Sequence, residues 1–528
     1  MRRRLGASIT ALLLAACGGS PRLPDVVVFA SGADLESANP LVTIHPLSRQ
    51  VQRHVLLVTL ARYDSTLAPT PYFARSWEWN ADRRQLVMRL HHGLRWHDSV
   101  ATTARDVAFT LLRGRDPRSG YARAADLAAI DTVIARNDST VVIRFRTAQR
   151  DVPPVLVELP ILPTHLVSDA TPADMRRHSY STRPTGNGPF RFVRRVPGQR
   201  WEFERNEAFP AQLGGPPAIR RLVVAVVDEP TTKFAGLAAG ELDFAGISAS
   251  MADLARRDPL IEVVDYPVLF STGLVFNTHR PPFDDARVRR AVSLSINRQR
   301  VVDAALAGFG TPAAGPVPPA LPFALPARPG FDTANADAAL DSAGWRRGAD
   351  GWRARGRPFD VELLTVGSGD NAIEQLIQAD LGARGIRLRI RQMELGAFLT
   401  RARAADKDFD LLITGVPGDL SLSHLAAMFE SAQRGSSLDY AGYHTAVLDS
   451  AFSAARSATT DDALHRAWRR VQQELDRDVP VAWIYHARGL QGVSSRMRNV
   501  TMDLRGELAT VSRWTVAPNG TTRAAFSR

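Results

Sequence analysis

The sequence predicts an α/β protein with two lobes, and three features carry this prediction. First, the chain has 528 residues, 45% of them hydrophobic and 23% charged, which is enough for two or three domains with cores of their own. Second, residues 359–415 alternate strand, helix, strand, helix and strand, which predicts parallel strands joined by crossover helices. Third, residues 271–312 pass from an apolar strand into two helices in the middle of the chain.

The charge of the chain argues against two classes of protein. The formal net charge is +12, yet Lys233 and Lys407 are the only lysines, and the arginines are scattered among acidic residues. We therefore expect a solvated surface and no nucleic-acid binding. Neither lysine follows a glycine or precedes Ser or Thr, as the phosphate loop of an ATPase requires. The chain is therefore not predicted to be the ATPase of a transporter.

The N-terminus has the features of a secretion signal and a tether. Residues 1–16 combine a basic start with an apolar run that is too short to span a bilayer. Cys17, the only cysteine, follows small residues, and this order resembles the lipobox of bacterial lipoproteins. We expect lipid on Cys17, with residues 17–25 as a flexible tether. The alternative is an ordinary cleaved signal with an incidental cysteine.

The next part of the chain is predicted to be rich in strands. A β-run at residues 26–29 precedes an alternating hairpin at residues 77–90, and a helix then opens at Thr103 or Asp106. A second hairpin is expected at residues 190–204. The glycines just before it lead into a strand, whereas a phosphate cradle opens a helix, so this stretch is not predicted to bind a nucleotide.

Polar residues after the first hairpin could suggest a metal site, namely His91, His92, His97 and Asp98. No pair has the i, i+4 spacing of helical zinc ligands, so we interpret the turn at residues 96–98 as a packed corner. No G-x-S-x-G or H-E-x-x-H motif occurs in the chain. Because catalytic groups can assemble in space, a surface hydrolase stays an alternative.

The central stretch predicts one strand and two capped helices. An apolar strand covers residues 272–276, and Asp284 or Asp285 is placed to cap the first helix. Asn297 is expected to cap the second helix, which stops at Gly308. The arginines of this stretch are expected to be structural and to pair with Asp284, Asp285 and Asp303.

The last third adds a second set of α/β elements. Gly385 is placed to end the first crossover helix in the left-handed conformation. A long amphipathic helix is predicted at residues 461–476, and an apolar strand at residues 481–485.

Several motifs together resemble a known family. The run VFNTHRPPFDDARVRRAVSLSINRQRVV at residues 275–302 is similar to the signature of extracytoplasmic solute-binding proteins of family 5, the peptide and nickel receptors of ABC importers. Shorter matches support it: NPL, ARSWEW, LRWHDS with Ser99 for the usual glycine, GNGPF and GELDF.

The resemblance implies a fold of the type II periplasmic binding proteins. Two lobes are joined by a two-strand hinge, and the first lobe carries an extra subdomain at about residues 50–180. The expected boundaries are 26–273 and 486–528 for the first lobe and 274–485 for the second.

The resemblance also implies a function without catalysis. The protein would capture a peptide-like solute between its lobes and deliver it to an ABC permease with ATPase subunits. It would be a monomer without cofactor or metal, anchored by lipid outside the cytoplasmic membrane. Alternatives are a nickel chelate, a sugar or another small solute in the same fold, a surface hydrolase, and a lipoprotein that acts as a sensor or chaperone.

The resemblance also implies ligand-binding residues, but the loop that would hold the solute matches the family pattern only in part. Asp419 follows a strand as does the aspartate that holds the peptide amino terminus in the family, but the neighbouring aromatic residue and Asp-Pro are missing. Its alternative role is a helix cap. Asn39, Thr272, Phe276 and Tyr485 are expected to line the cleft, with the core as the alternative place for each. No arginine is assigned to a solute carboxylate.

Overall fold

The computed structural model describes residues 25–43, 45–121, 123–175, 177–326, 330–367, 371–436 and 438–517. Its strands are β1 (Val26–Ser31), β2 (Ala61–Tyr63), β3 (Pro69–Pro71), β4 (Ala74–Trp79), β5 (Gln85–Leu90), β6 (Ile130–Asn137), β7 (Thr140–Phe145), β8 (Phe190–Val196), β9 (Arg200–Arg205), β10 (Arg221–Val226), β11 (Phe244–Gly246), β12 (Ile261–Phe276), β13 (Gly310–Pro312), β14 (Arg346–Arg347), β15 (Arg353–Ala354), β16 (Asp360–Val366), β17 (Arg387–Met393), β18 (Leu411–Pro417), β19 (Val481–Ser494), β20 (Met497–Arg498) and β21 (Thr515–Val516).

The helices are α1 (Pro46–Gln50), α2 (Ala104–Arg115), α3 (Pro154–Glu158), α4 (Thr164–Val167), α5 (Pro230–Ala238), α6 (Ala252–Arg257), α7 (Ala286–Ser295), α8 (Arg298–Ala305), α9 (Thr333–Ser342), α10 (Ala372–Gly382), α11 (Leu395–Arg403), α12 (Ser423–Phe429), α13 (Ala446–Ser457) and α14 (Asp461–Asp478). A π-helical turn, Val51–Leu56, continues α1.

One mixed sheet runs through both lobes. Eleven strands form it in the order β17-β16-β18-β12-β19-β11-β1-β10-β9-β8, with β13 added to β19. The first lobe holds the side from β11 to β8, and the second lobe holds the side from β18 to β17. Only β12 and β19 belong to both sides, so the predicted two lobes and two-strand connection are confirmed.

The two crossing strands are much longer than the sequence predicts. β12 has 16 residues and β19 has 14, and they pair antiparallel from Ile261↔Ser494 to Val275↔Val481. The register shifts between Pro267 and Ser271, where no residue of β12 pairs with β19. The predicted strands 272–276 and 481–485 are therefore the second-lobe ends of these elements. A proline in β12 and glycines in β19 weaken the strand pattern of the remaining halves.

The hydrophobic cores separate at this break in register. Tyr266 belongs to the first-lobe core, which also holds Trp96, Trp201 and Trp514. Eight residues later, Leu274 belongs to a second-lobe core. Residues between them therefore lie where the two lobes meet.

The first lobe carries a second, antiparallel sheet. Its order is β4-β5-β7-β6, it contains the predicted hairpin β4–β5, and helix α2 packs against β6 and β7. Thr103 caps α2 and accepts from Arg105 N, while the carboxylate of Asp106 accepts from Thr103 N at 2.8 Å. Both residues predicted as alternatives thus form one capping box.

The second lobe has the predicted parallel strands. β16 lies between β17 and β18 and pairs parallel with both. Gly385 has a φ of +80° after α10, and Asp285 and Asn297 cap α7 and α8, as expected.

The arginine partners in the central stretch differ from the prediction. Arg287 pairs with Asp285 at 2.7 Å, but Asp303 accepts instead from Gln299. Arg289 and Arg298 are buried and donate to main-chain carbonyls, namely Asp478 O at the end of α14 and Trp483 O in β19. These acceptors lie far away in the sequence, and only the tertiary fold brings them to the arginines.

Candidate functional site

Asp419 lies in the loop between β18 and α12, close to the crossing strands. Gly418 N donates to Leu269 O in β12 at 2.7 Å, which ties the loop to the junction of the lobes. The Asp419 carboxylate is 8% exposed and accepts from the main-chain N–H groups of Ser421, Ser423 and His424, and from both serine hydroxyls. It therefore caps the start of α12 from within the loop.

The charge state of Asp419 is fixed by these contacts. Burial alone would raise the pKa of this carboxyl, but the bond to His424, the charge of Arg123 and the bond to Ser421 hold the pKa well below its usual range. The group is an anion at neutral pH.

A group of charged residues in the first lobe faces this loop. Glu158, at the end of α3, is 6% exposed and pairs with the guanidinium of Arg123 and with Arg49 at 3.6 Å. Arg123 also donates to Asp126 at 2.7 Å and to the Ser421 hydroxyl of the second lobe at 3.3 Å. Burial opposes ionisation of Glu158, but Arg123, Arg53 and Arg49 lower its pKa overall. We call this set of residues the interlobe cluster. Its first-lobe members are Arg49, Arg53, Tyr63, Arg123, Asp126 and Glu158, and its second-lobe members are Asp419 and Ser421.

A small pocket opens beside this cluster. Its walls include the side chains of Arg49, Arg123 and Glu158, and its lining also takes in Pro40, Thr43, Gln52, Tyr121, Leu159 and Pro160. Charges of both signs thus border a space next to the lobe junction.

Further contacts hold the lobes against each other. The guanidinium of Arg150 pairs with Asp461 at the start of α14, and Arg256 of α6 lies 5.2 Å from the ring centroid of Phe309. Leu67 and Leu504 of the first lobe pack against the second-lobe core. The described arrangement is therefore one in which the lobes touch.

Thr272 and Tyr485 are cross-strand neighbours at the junction. They pair between β12 and β19, and Thr272 also pairs with Gly415 of β18. Thr272 is 7% exposed and Tyr485 is half-buried, and burial raises the pKa of the Tyr485 hydroxyl. Both lie within a few residues of the register break.

Asn39 and Phe276 are fully buried in this arrangement. Asn39 accepts from Leu41 N at 3.0 Å and donates to Met175 O, so it holds the turn that places Pro40 at the pocket. Phe276 packs on Phe283 with ring centroids 5.1 Å apart in the second-lobe core. Neither side chain presents a surface to a solute in this arrangement, because each is enclosed within its lobe.

The remaining cluster residues were not predicted from sequence. Arg49 lies in α1 and Arg53 in the π-helical turn that continues it. Arg123 lies in a turn and Glu158 at the end of the short helix α3, and none of the four belongs to a recognisable motif. A single arginine in a chain rich in arginine carries no sequence signal. Only the fold joins Arg49 and Arg123 to Glu158, and Arg123 to Ser421 in the Asp419 loop.

Cys17 and the predicted signal and tether up to residue 24 lie outside the described residues. Within the described part, no helix has the length and apolar character needed to cross a membrane. The described residues also contain no group of three or more His, Cys, Asp or Glu side chains placed to hold a metal ion.

Known proteins resemble the chain over most of its length. A di/tripeptide-binding protein of Pseudomonas aeruginosa is 28% identical over 439 residues, which are 78% of this chain and 80% of that protein. The oligopeptide-binding protein AppA of Bacillus subtilis is 23% identical over 445 residues, or 81% of this chain and 80% of that protein.

Solved structures share the fold. NikZ from Campylobacter jejuni in complex with Ni(L-His) aligns with a TM-score of 0.82 at 20% identity, covering 94% of this chain and 100% of that one. AppA of B. subtilis with a nonapeptide gives 0.81 at 21% identity, covering 93% and 99%.

A family of sequences also matches the chain. The family model described as bacterial extracellular solute-binding proteins, family 5 Middle, matches residues 68–434, which include the second sheet of the first lobe, the central stretch and the Asp419 loop. The chain therefore belongs to the bacterial extracellular solute-binding proteins of family 5.

Proposed function

We propose that this protein captures a peptide-like solute between its two lobes and delivers it to the permease of an ABC importer. The observation that carries the proposal is the interlobe cluster, where the anionic Asp419 of the second lobe faces arginines of the first. A zwitterionic peptide needs charges of both signs, held where closure of the lobes removes water. The relatives described as peptide-binding proteins support the same solute class.

The proposal assigns the parts of the chain as follows. Residues 26–273 and 486–528 form the first lobe, with its subdomain at about 50–180, and residues 274–485 form the second. The positions of the cores on either side of residues 267–273 support these bounds. Lipid on Cys17 anchors the protein outside the cytoplasmic membrane, and it acts as a monomer without catalysis.

Asp419 is proposed to receive the solute ammonium group, with Thr272 and Tyr485 beside it. The carboxylate offers about four acceptor directions, and five donors of its own loop already share them. An ammonium group would therefore take the place of one of the two serine hydroxyls, which can rotate away, while the main-chain N–H groups keep their bonds to the carboxylate. Closure of the lobes around the solute then needs only rotation at the crossing strands.

Binding can be tested with the purified full chain. A mixture of di-, tri- and oligopeptides is expected to raise the Tm, and native mass spectrometry should show a bound peptide mass. Asp419→Asn should weaken binding of Ala-Ala-Ala more than it weakens binding of the N-acetylated peptide. Glu394→Gln, an exposed carboxylate that caps α11, is the matched control.

Two results would overturn the proposal. One is a Tm shift with a nickel chelate or a sugar and none with any peptide. The other is turnover of a peptide or glycan by the purified protein, which would point to a surface hydrolase.

A further inference from the structure

Arg53 is the least satisfied member of the interlobe cluster. It lies in the π-helical turn Val51–Leu56, and its Nε atom is buried without any acceptor. Arg49 and Arg123 both reach Glu158, whereas Arg53 has no ion pair within 4 Å among the described residues. The residue as a whole is half-buried.

A guanidinium in such a place lacks a counter-anion. Burying a charge without a hydrogen-bond partner is costly, and a planar guanidinium matches a carboxylate in shape. The one nearby carboxylate of the first lobe, Glu158, is already taken by two other arginines. The missing acceptor is therefore of the kind that a bound solute could supply.

Arg53 lies beside the contact that joins the two lobes. It is four residues from Arg49 on α1 and the π-helical turn that continues it, so the two side chains are neighbours on the helix surface. Arg49 reaches Glu158, which in turn pairs with Arg123. The contact between Arg123 and Ser421 closes the same junction.

We propose that Arg53 binds an acidic side chain carried near the ammonium end of the solute, so that the protein selects peptides with Asp or Glu at their first or second position. This inference rests on the proposed function, because it takes Asp419 as the ammonium partner. The terminal carboxylate of an extended peptide lies farther along the chain with each added residue, whereas a side chain of the first residues stays beside the ammonium group.

Isothermal titration of the full chain with matched tripeptides tests this selectivity. Glu-Ala-Ala is expected to bind about tenfold more tightly than Gln-Ala-Ala, as one charge-assisted pair would give. Arg53→Gln should remove that difference, and Arg53→Lys should restore part of it. Arg75→Gln, an exposed first-lobe arginine outside the cluster, should keep the full difference.

The outcomes separate the two proposals. Equal binding of Glu-Ala-Ala and Gln-Ala-Ala by the unmodified protein overturns the role of Arg53 and leaves peptide capture standing. The role of Arg53 is also overturned if the preference for Glu-Ala-Ala disappears when both tripeptides carry a C-terminal amide, because Arg53 would then hold the terminal carboxylate. Binding of no peptide at all overturns both proposals. Circular dichroism of each variant confirms that it is folded.

Discussion

At the scale of single residues, Asp419 joins local structure to the proposed site. Three main-chain N–H groups and two hydroxyls donate to its carboxylate, so the loop between β18 and α12 is built around one anion. Such a loop keeps the charge in place without help from a solute.

Replacing Asp419 with Ala should lower the free energy of unfolding by about 1.5–3 kcal/mol, because buried donors lose a charged acceptor. Urea unfolding followed by circular dichroism measures this loss. Glu394→Ala, which removes an exposed cap of α11, should cost less. Equal losses in the two variants would contradict the buried role of Asp419.

His486 makes stability depend on pH. It is 3% exposed, its Nδ1 lies 2.8 Å from the Ser271 hydroxyl, and burial lowers its pKa to about 4 from the usual 6.5. Between these values the unfolded chain binds a proton that the folded protein excludes, so stability is lost as pH falls from 6.5 towards 4. Burial also lowers the pKa of His97 to about 4 and that of His54 to about 3.

The free energy of unfolding should therefore fall steadily between pH 7 and pH 4.5. His486→Gln should show a shallower fall than the unmodified protein, in urea titrations at several pH values. His92→Gln, at an exposed position, should leave the slope unchanged. A slope that is identical in all three proteins would argue against a neutral buried His486.

At the scale of elements, the crossing strands are packed by aromatic rings over glycines. Tyr266 of β12 pairs with Gly489 of β19, and a Cβ at Gly489 would lie 2.2 Å from the Tyr266 ring. Phe270 covers Gly415 of β18 in the same way, at 2.1 Å. Glycine is needed at both positions because the ring occupies the space of a side chain.

Gly489→Ala should therefore destabilise the protein by about 1–3 kcal/mol, since the Tyr266 ring must move from its place. That movement also disturbs the bond from the Tyr266 hydroxyl to Glu507, which is 2.7 Å long. Thermal unfolding provides the measurement. Gly382→Ala is the control, because nothing lies within 4 Å of its new Cβ at the end of α10, and its Tm should stay equal or rise. A neutral Gly489→Ala would contradict tight packing here.

At the scale of the whole molecule, the two lobes touch through contacts that are individually weak. The pair between Arg150 and Asp461 joins side chains that are 35% and 76% exposed. An exposed pair of this kind contributes less than about 1 kcal/mol. Such a contribution can still shift an equilibrium between two conformations whose free energies differ by only a small amount.

Asp461→Arg should open the lobes by placing like charges opposite each other. Single-molecule energy transfer between dyes on the two lobes should show a larger open fraction, and solute affinity should fall a few-fold. Adding Arg150→Asp reverses both charges and should restore closure. Asp462→Arg, in the same helical turn, controls for the loss of an acidic residue at the start of α14. Failure of the charge swap to restore closure would contradict the role of this pair.

Patterns along the chain determined the family, the α/β class, the two hairpins, the parallel strands of the second lobe and the caps at Thr103, Asp285 and Asn297. These features depend on neighbours within a few residues, so the signal is local. The lengths of β12 and β19 could not be predicted, because pairing along their whole length stabilises segments that a proline and glycines disfavour. The interlobe cluster could not be predicted either, because Arg123, Glu158 and Ser421 are far apart in the sequence and come into contact only when both lobes have folded.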